Sequence, residues 1–128
     1  MSAVSDIKDL LSGQFSDGYG PRLSCYVNTN VQKEKNCIML FNTGADRPLL
    51  ALGYYAKIGY YSREVEVAIR HGDYDKAEEI SFQALKHLGN NRRNTNLSLY
   101  LTENPIYKGI DNTGGHVWSF KILARGKQ

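Results

Sequence analysis

The chain has 128 residues, 41% hydrophobic and 23% charged, a composition that argues against a disordered chain and indicates one globular domain over residues 1–128. A net charge of +3 permits contact with a polyanion, but so small an excess does not by itself indicate nucleic-acid binding. The longest apolar run, residues 37–41, is far shorter than the roughly 20 residues that span a bilayer, so we expect no membrane partner.

The first predicted element is a short helix over residues 5–11. Ile7, Leu10 and Leu11 fall on one face of it, which is the spacing of an amphipathic helix. Ser5 is placed to cap its start. A turn-rich stretch with glycine and proline follows, and it ends any helix.

Two strands come next, separated by a polar loop. Residues 24–27 predict a brief strand, and residues 28–36 predict the loop. Residues 37–41 are short, apolar and bounded by polar residues, which is typical of a buried strand. Residues 42–48 have the composition of a turn.

The stretch over residues 49–61 has no regular period. It holds three leucines, four tyrosines and two glycines. Two interpretations stay open: a contact surface for another subunit or partner, or a loop folded back on the core. Under the first interpretation, the candidate interface residues are Leu49, Leu50, Leu52, Tyr54, Tyr55, Tyr60 and Tyr61.

The clearest strand covers residues 63–70, where branched apolar residues around Val67 alternate with glutamates and an alanine. A long helix follows it, with apolar residues at three-to-four spacing. Asp73 is placed to cap this helix, and Gly89 to end it in a left-handed conformation.

Three strands are predicted in the last third of the chain, at residues 97–101, 106–108 and 117–124. The short links between them favour antiparallel pairing. We therefore expect an α+β domain: a mixed, mainly antiparallel sheet with two helices packed on one face.

The sequence contains no pattern typical of an active site or a metal site. His71, His87 and His116 are not at ligand spacing, so we expect no metal and no cofactor. A nucleophilic cysteine needs a positioned histidine, and the sequence around Cys25 contains no activating motif. We expect no catalytic residues, and a small hydrolase is the less favoured alternative.

Arg92 and Arg93 lie in a polar loop after the long helix. One copy of such a pair is more often a solvated surface than a DNA contact, because two charges release few counterions. Six copies in a ring would instead line a channel for a passing duplex without reading its sequence. These arginines are the candidate residues of a DNA lumen.

Short motifs are distributed along the chain. Residues 70–78 follow the pattern R-x-G-D-Y-x-x-A-E, which joins a strand to a helix. Residues 106–111 follow I-Y-K-G-x-D, ahead of the pair Gly114-Gly115 and a closing strand. Over residues 4–124 the pattern resembles the tail-terminator and minor-capsid proteins of long-tailed, non-contractile bacteriophages.

The resemblance implies a small α+β subunit of a ring, hexameric in that family, at the head-proximal end of the tail tube. Such a ring ends tube polymerisation, joins the tail to the head and lets DNA pass, without catalysis. The implied partners are further copies of the chain, the tail tube protein, a head-completion or stopper protein, and packaged DNA through non-specific contact. The implied location is the tail or neck of a virion that is assembled in the host bacterial cytoplasm. Another neck ring, such as a head-completion or stopper protein, is the alternative.

Overall fold

The computed structural model of the chain describes residues 3–16, 22–32, 34–42, 47–48, 60–91, 97–101 and 103–127. These residues form two helices and seven strands. The helices are α1 (Ala3–Leu11) and α2 (Tyr74–Asn90). The strands are β1 (Ser24–Val27), β2 (Cys37–Asn42), β3 (Arg47–Pro48), β4 (Tyr60–His71), β5 (Leu97–Leu101), β6 (Ile106–Ile110) and β7 (His116–Lys127).

All seven strands belong to one sheet, in which the order of the main path is β1-β2-β4-β7-β5. β1 and β2 are parallel, and every other described pairing is antiparallel. β4 pairs with one edge of β7 along its whole length, so β5 and β6 share the other edge. The predicted mixed, mainly antiparallel sheet is confirmed.

Strand alternation gives the sheet two different faces. On the helix face, Val65, Val67 and Ile69 of β4 are fully buried in one cluster with residues of both helices. The prediction that both helices pack on one face is therefore confirmed. The opposite face, here called the open face, has a smaller apolar cluster around Met39 and Ala68.

One of the two predicted helix caps is confirmed and the other is wrong. Asp73 caps α2 as predicted, since its Oδ1 accepts hydrogen bonds from the backbone N–H groups of Asp75 (2.9 Å) and Lys76 (3.3 Å). Ser5 does not cap α1, because that helix already begins at Ala3.

Gly89 does not end α2 as predicted. The helix continues to Asn90, and Gly89 is absent from the described glycines with a positive φ. A Cβ at Gly89 would lie 3.0 Å from the Leu101 Cδ1 atom. Because glycine has no side chain, α2 can pack closely against β5 at this position.

The stretch between β2 and β4 contains more strand than predicted. Residues 47–48, predicted as turn, form β3 against β4, and the backbones of Tyr60 and Tyr61 belong to β4. Neither helix in the described part of the chain has the length and hydropathy that crossing a membrane requires.

Candidate functional site

Arg70, at the end of β4, is fully buried and is the centre of a hydrogen-bond network. Its guanidinium donates to three backbone carbonyl groups of the loop before β2, those of Val31, Glu34 and Lys35. It also donates to Asn30 Oδ1 at 3.4 Å and to Asp111 Oδ2 at 2.9 Å. A buried charge is stable only when such partners replace water, so Arg70 ties this loop to the β6–β7 turn.

The β6–β7 turn is built around the second partner of Arg70. Asp111 Oδ1 accepts from the backbone N–H groups of Thr113 (2.9 Å) and Gly115 (3.4 Å). Burial acts to raise the pKa of Asp111, but hydrogen bonds from Thr113 and Arg70 outweigh it and hold the pKa below its ordinary value. A Cβ at Gly115 would lie 2.6 Å from Arg70 Cγ, so the turn closes over Arg70 only with glycine there.

An aromatic cluster lies beside this network on the helix face. The Tyr74 ring centroid is 5.0 Å from that of Tyr107 and 5.6 Å from those of His116 and Trp118, with the rings edge to face. Tyr107 Oη and His116 Nδ1 share a hydrogen bond of 2.9 Å. Phe82 extends the cluster, with its centroid 6.4 Å from that of Trp118.

The two motifs behind the resemblance therefore meet in space. Arg70 of the first motif is paired with Asp111 of the second. Tyr74 of the first packs on Tyr107 of the second. β4 ends and α2 begins within the first motif, and the second motif contains β6, so the motifs together fix how β4, α2 and the β6–β7 hairpin are joined.

The three histidines do not form one site. His71 and His116 lie directly opposite each other on β4 and β7, a pairing that sequence spacing did not reveal. His71 is buried, and its Nδ1 accepts from the backbone N–H of Asp73 at 2.9 Å. His87 lies apart from them, with Nε2 2.9 Å from the Leu10 carbonyl oxygen. Among the described residues, no group of three or more metal-ligating side chains is arranged to hold an ion.

Both cysteines are buried and neither forms a disulfide. Burial raises the pKa of the Cys25 thiol to about 11, despite the opposing effect of Lys8. Burial likewise raises the pKa of Cys37. Because the thiolate is the nucleophile, neither cysteine is activated in the way a catalytic thiol requires.

We expect both thiols to react slowly in the folded protein. A thiol-disulfide reagent such as dithionitrobenzoate at pH 8 should label the native chain far more slowly than the chain in 6 M guanidinium chloride, since burial disfavours the thiolate and blocks access. The absorbance of the released thiolate measures the rate. Rapid labelling of one thiol in the native protein would contradict this expectation and revive the hydrolase alternative.

The open face holds a groove of about 420 Å³. Its floor is apolar, with Met39 and Ala68 among the lining residues. Two carboxylates reach it, but Glu66 Oε2 accepts from the Ser119 hydroxyl at 3.2 Å and Asp111 is paired with Arg70. These carboxylates are engaged by neighbours rather than by each other, so the groove lacks the paired arrangement used in acid–base catalysis.

The exposed large apolar side chains of the described residues lie along the border of the sheet that β5 and β6 form, on both of its faces. We call this surface the apolar edge. It combines the outer strands β5 and β6 with the adjoining flank of α2, which contacts β6 and β7 through Tyr74. Between 41% and 63% of each side chain is exposed, and the members are Tyr74, Phe82, Tyr100, Leu101, Ile106 and Ile110.

Sequence reasoning missed the apolar edge. Alternation reveals which residues of a strand share a face, but it does not show which strands end at the border of a sheet. The signals for an edge strand are present in β6, namely Pro105 directly before it, Lys108 within it and a bulge at Gly109.

The predicted site residues lie outside the described part of the chain or are described only in part. Arg92 and Arg93 lie outside it, and so do Leu49, Leu50, Leu52, Tyr54 and Tyr55. For Tyr60 and Tyr61 the structure gives the strand backbone of β4. Their assigned contacts stay predictions.

Neither the models of protein families nor the sequences of curated proteins match this chain. Its function therefore has to be inferred from its own residues and their arrangement.

Proposed function

We propose that the chain is a structural ring subunit, and that six copies close into a collar at the head-proximal end of a phage tail tube. The collar ends tube polymerisation, joins the tail to the head and leaves a lumen for DNA. It acts through its shape and its contacts, and it catalyses no reaction.

The observation that carries the proposal is the apolar edge. Exposed apolar and aromatic side chains gathered along the outer strands of a sheet are a common feature of subunit contacts. Aromatic side chains such as Tyr74 and Tyr100 are typical anchors of subunit interfaces. The buried, unactivated thiols and the engaged carboxylates favour an assembly role over a catalytic one.

The oligomeric mass and the effect on tube growth test the proposal together. Light scattering after size exclusion should give a closed oligomer of the 14.4 kDa chain, with six copies expected. Added to polymerising tail tube protein, this oligomer should stop growth at a fixed tube length. A protein that is monomeric at high concentration and leaves tube growth unchanged would refute the proposal.

A binding experiment separates the tail terminator from the other neck rings. The immobilised oligomer should capture tail tubes and, at its other side, the head-completion ring. Capture of portal-side rings without any binding to tubes would instead assign the chain to the head-completion or stopper group.

The lumen assignment of Arg92 and Arg93 gives a mutational test. Replacing both with glutamate is expected to leave folding and assembly intact and to lower DNA retention and infectivity of the particles, because the variant repels the passing duplex. The matched control reverses two charges on α2, Lys76→Glu with Lys86→Glu, and should leave DNA retention unchanged. Normal infectivity of the Arg92/Arg93 variant would rule out the lumen assignment.

A further inference from the structure

We infer that neighbouring copies join edge to edge, with β5 of one copy beside β1 of the next, so that their sheets become continuous. This inference rests on the proposed ring, and it names the surfaces that form the contact between subunits.

The first support is that β1 and β5 contain no charged residue, no proline and no shift in register. Soluble proteins protect such edges with charged residues, proline or bulges, because an unpaired strand can bind another strand. The sequences SCYV of β1 and LSLYL of β5 contain no charge and no proline. In contrast, β6 has Lys108, a bulge at Gly109 and Pro105 directly before it.

The second support is that β1 and β5 end the sheet on opposite sides. Among the described strands, β1 pairs with β2 and β5 pairs with β7, and directly before β1 the Leu23 N–H donates to the Phe15 carbonyl oxygen at 2.8 Å. One copy therefore offers two different edges at once, and a contact between them is heterologous. Repeated heterologous contacts give a closed ring when the rotation between copies closes.

The third support is strand direction. β5 is antiparallel to β7 and β7 to β4, so β5 runs in the same direction as β4. β2 is antiparallel to β4 and parallel to β1, so β1 runs opposite to β4. Successive copies that keep the same orientation therefore bring β5 and β1 together antiparallel, which is the more stable pairing.

The side chains on these strands suit the contact. Tyr100 of β5 lies opposite Leu123, and Tyr26 of β1 lies opposite Met39, so both tyrosines are on the open face. Aromatic residues on one face of adjacent strands stabilise the pairing. On the helix face, α1 packs over β1, so the next copy would bring α1 beside Leu101. The neighbour thus covers part of the apolar edge.

Lysine substitutions at the two edges test the inference. Ser24 and Tyr100 are exposed residues of β1 and β5, and Ser24→Lys or Tyr100→Lys places a charge in the contact. Each is expected to raise the dissociation constant of the assembly by about tenfold or more. Circular dichroism and urea unfolding should show that both variants fold. Glu79→Lys, on the exposed side of α2, is the matched charge control and should assemble normally.

Mixing the two variants identifies which edges meet. The Ser24→Lys copy keeps an intact β5, and the Tyr100→Lys copy keeps an intact β1. Together they should form a one-to-one dimer of twice the 14.4 kDa chain mass, and nothing larger. A dimer formed by Ser24→Lys alone, with Tyr100→Lys monomeric, would show self-pairing of β5 and overturn the inference.

Opposite charges placed on the two edges should restore assembly. A chain that carries both Ser24→Lys and Tyr100→Glu brings opposite charges together at every contact and should regain assembly. If the wild-type chain forms rings and neither lysine variant weakens them, the inference fails while the proposed function stands. If the wild-type chain is monomeric, both fail.

Discussion

Replacing Arg70 with leucine is expected to be among the most destabilising substitutions in this protein. The change leaves three carbonyl groups of the loop before β2 without their donor and removes the cation opposite Asp111. Removing one partner of a buried ion pair costs about 3–5 kcal/mol, a large part of the stability of a small domain. Urea unfolding followed by fluorescence of Trp118, the single tryptophan, measures the loss.

The conservative variant Arg70→Lys is the control for charge. It keeps the positive charge but cannot reproduce five hydrogen bonds directed in one plane, so it should recover only part of the lost stability. If Arg70→Leu lost less than about 1 kcal/mol, the range of an ordinary surface pair, Arg70 would not be the organising residue that the network indicates.

The ion pair of Arg70 and Asp111 also predicts how the stability of the fold depends on pH in the acid range. Because the pKa of Asp111 is lowered in the folded state, its contribution to stability is complete above the ordinary aspartate value and is lost as the pH falls through the lowered one. The wild-type protein should therefore lose stability below about pH 4, the ordinary range of an aspartate. Arg70→Leu should show a weaker dependence over the same range. Identical acid profiles would contradict the coupling.

Replacing Val67 with aspartate is expected to prevent folding. Val67 is fully buried in the central strand β4, on the helix face, where a carboxylate finds no partner. Burying an unpaired charge costs several kcal/mol and approaches the whole stability of a domain, about 5–15 kcal/mol. The variant should lack the near-ultraviolet circular dichroism and cooperative unfolding of the native protein.

Ile110→Asp is the matched control for that substitution. It makes the same kind of change at a side chain that is 63% exposed, so the chain should still fold. A Val67→Asp variant with native-like cooperative unfolding would show that the core is not where the alternation of β4 places it.

The parts of the fold that depend on local patterns were predictable from the sequence. Alternation around Val67 indicates β4, and the position of Asp73 alone indicates the cap of α2. Boundaries were less predictable, since β4 extends to Tyr60 through pairing with β3 and β7. The role of Gly89 was missed because its close neighbour, Leu101, belongs to another element.

The features that define the candidate site depend on contacts between distant segments. The sequence marks Arg70 as part of a motif, but its burial follows from carbonyl groups of one loop and a carboxylate of another. Likewise, Tyr100 and Ile106 become an exposed edge only because β5 and β6 share one border of β7. Periodicity within one segment carries no information about such pairings.

The most direct test of the central claim is electron microscopy of the purified chain added to growing tail tubes. We expect a closed collar of six copies on one end of each tube, with tube growth stopped there. Single copies dispersed in the background, beside tubes of unrestricted length, would contradict it.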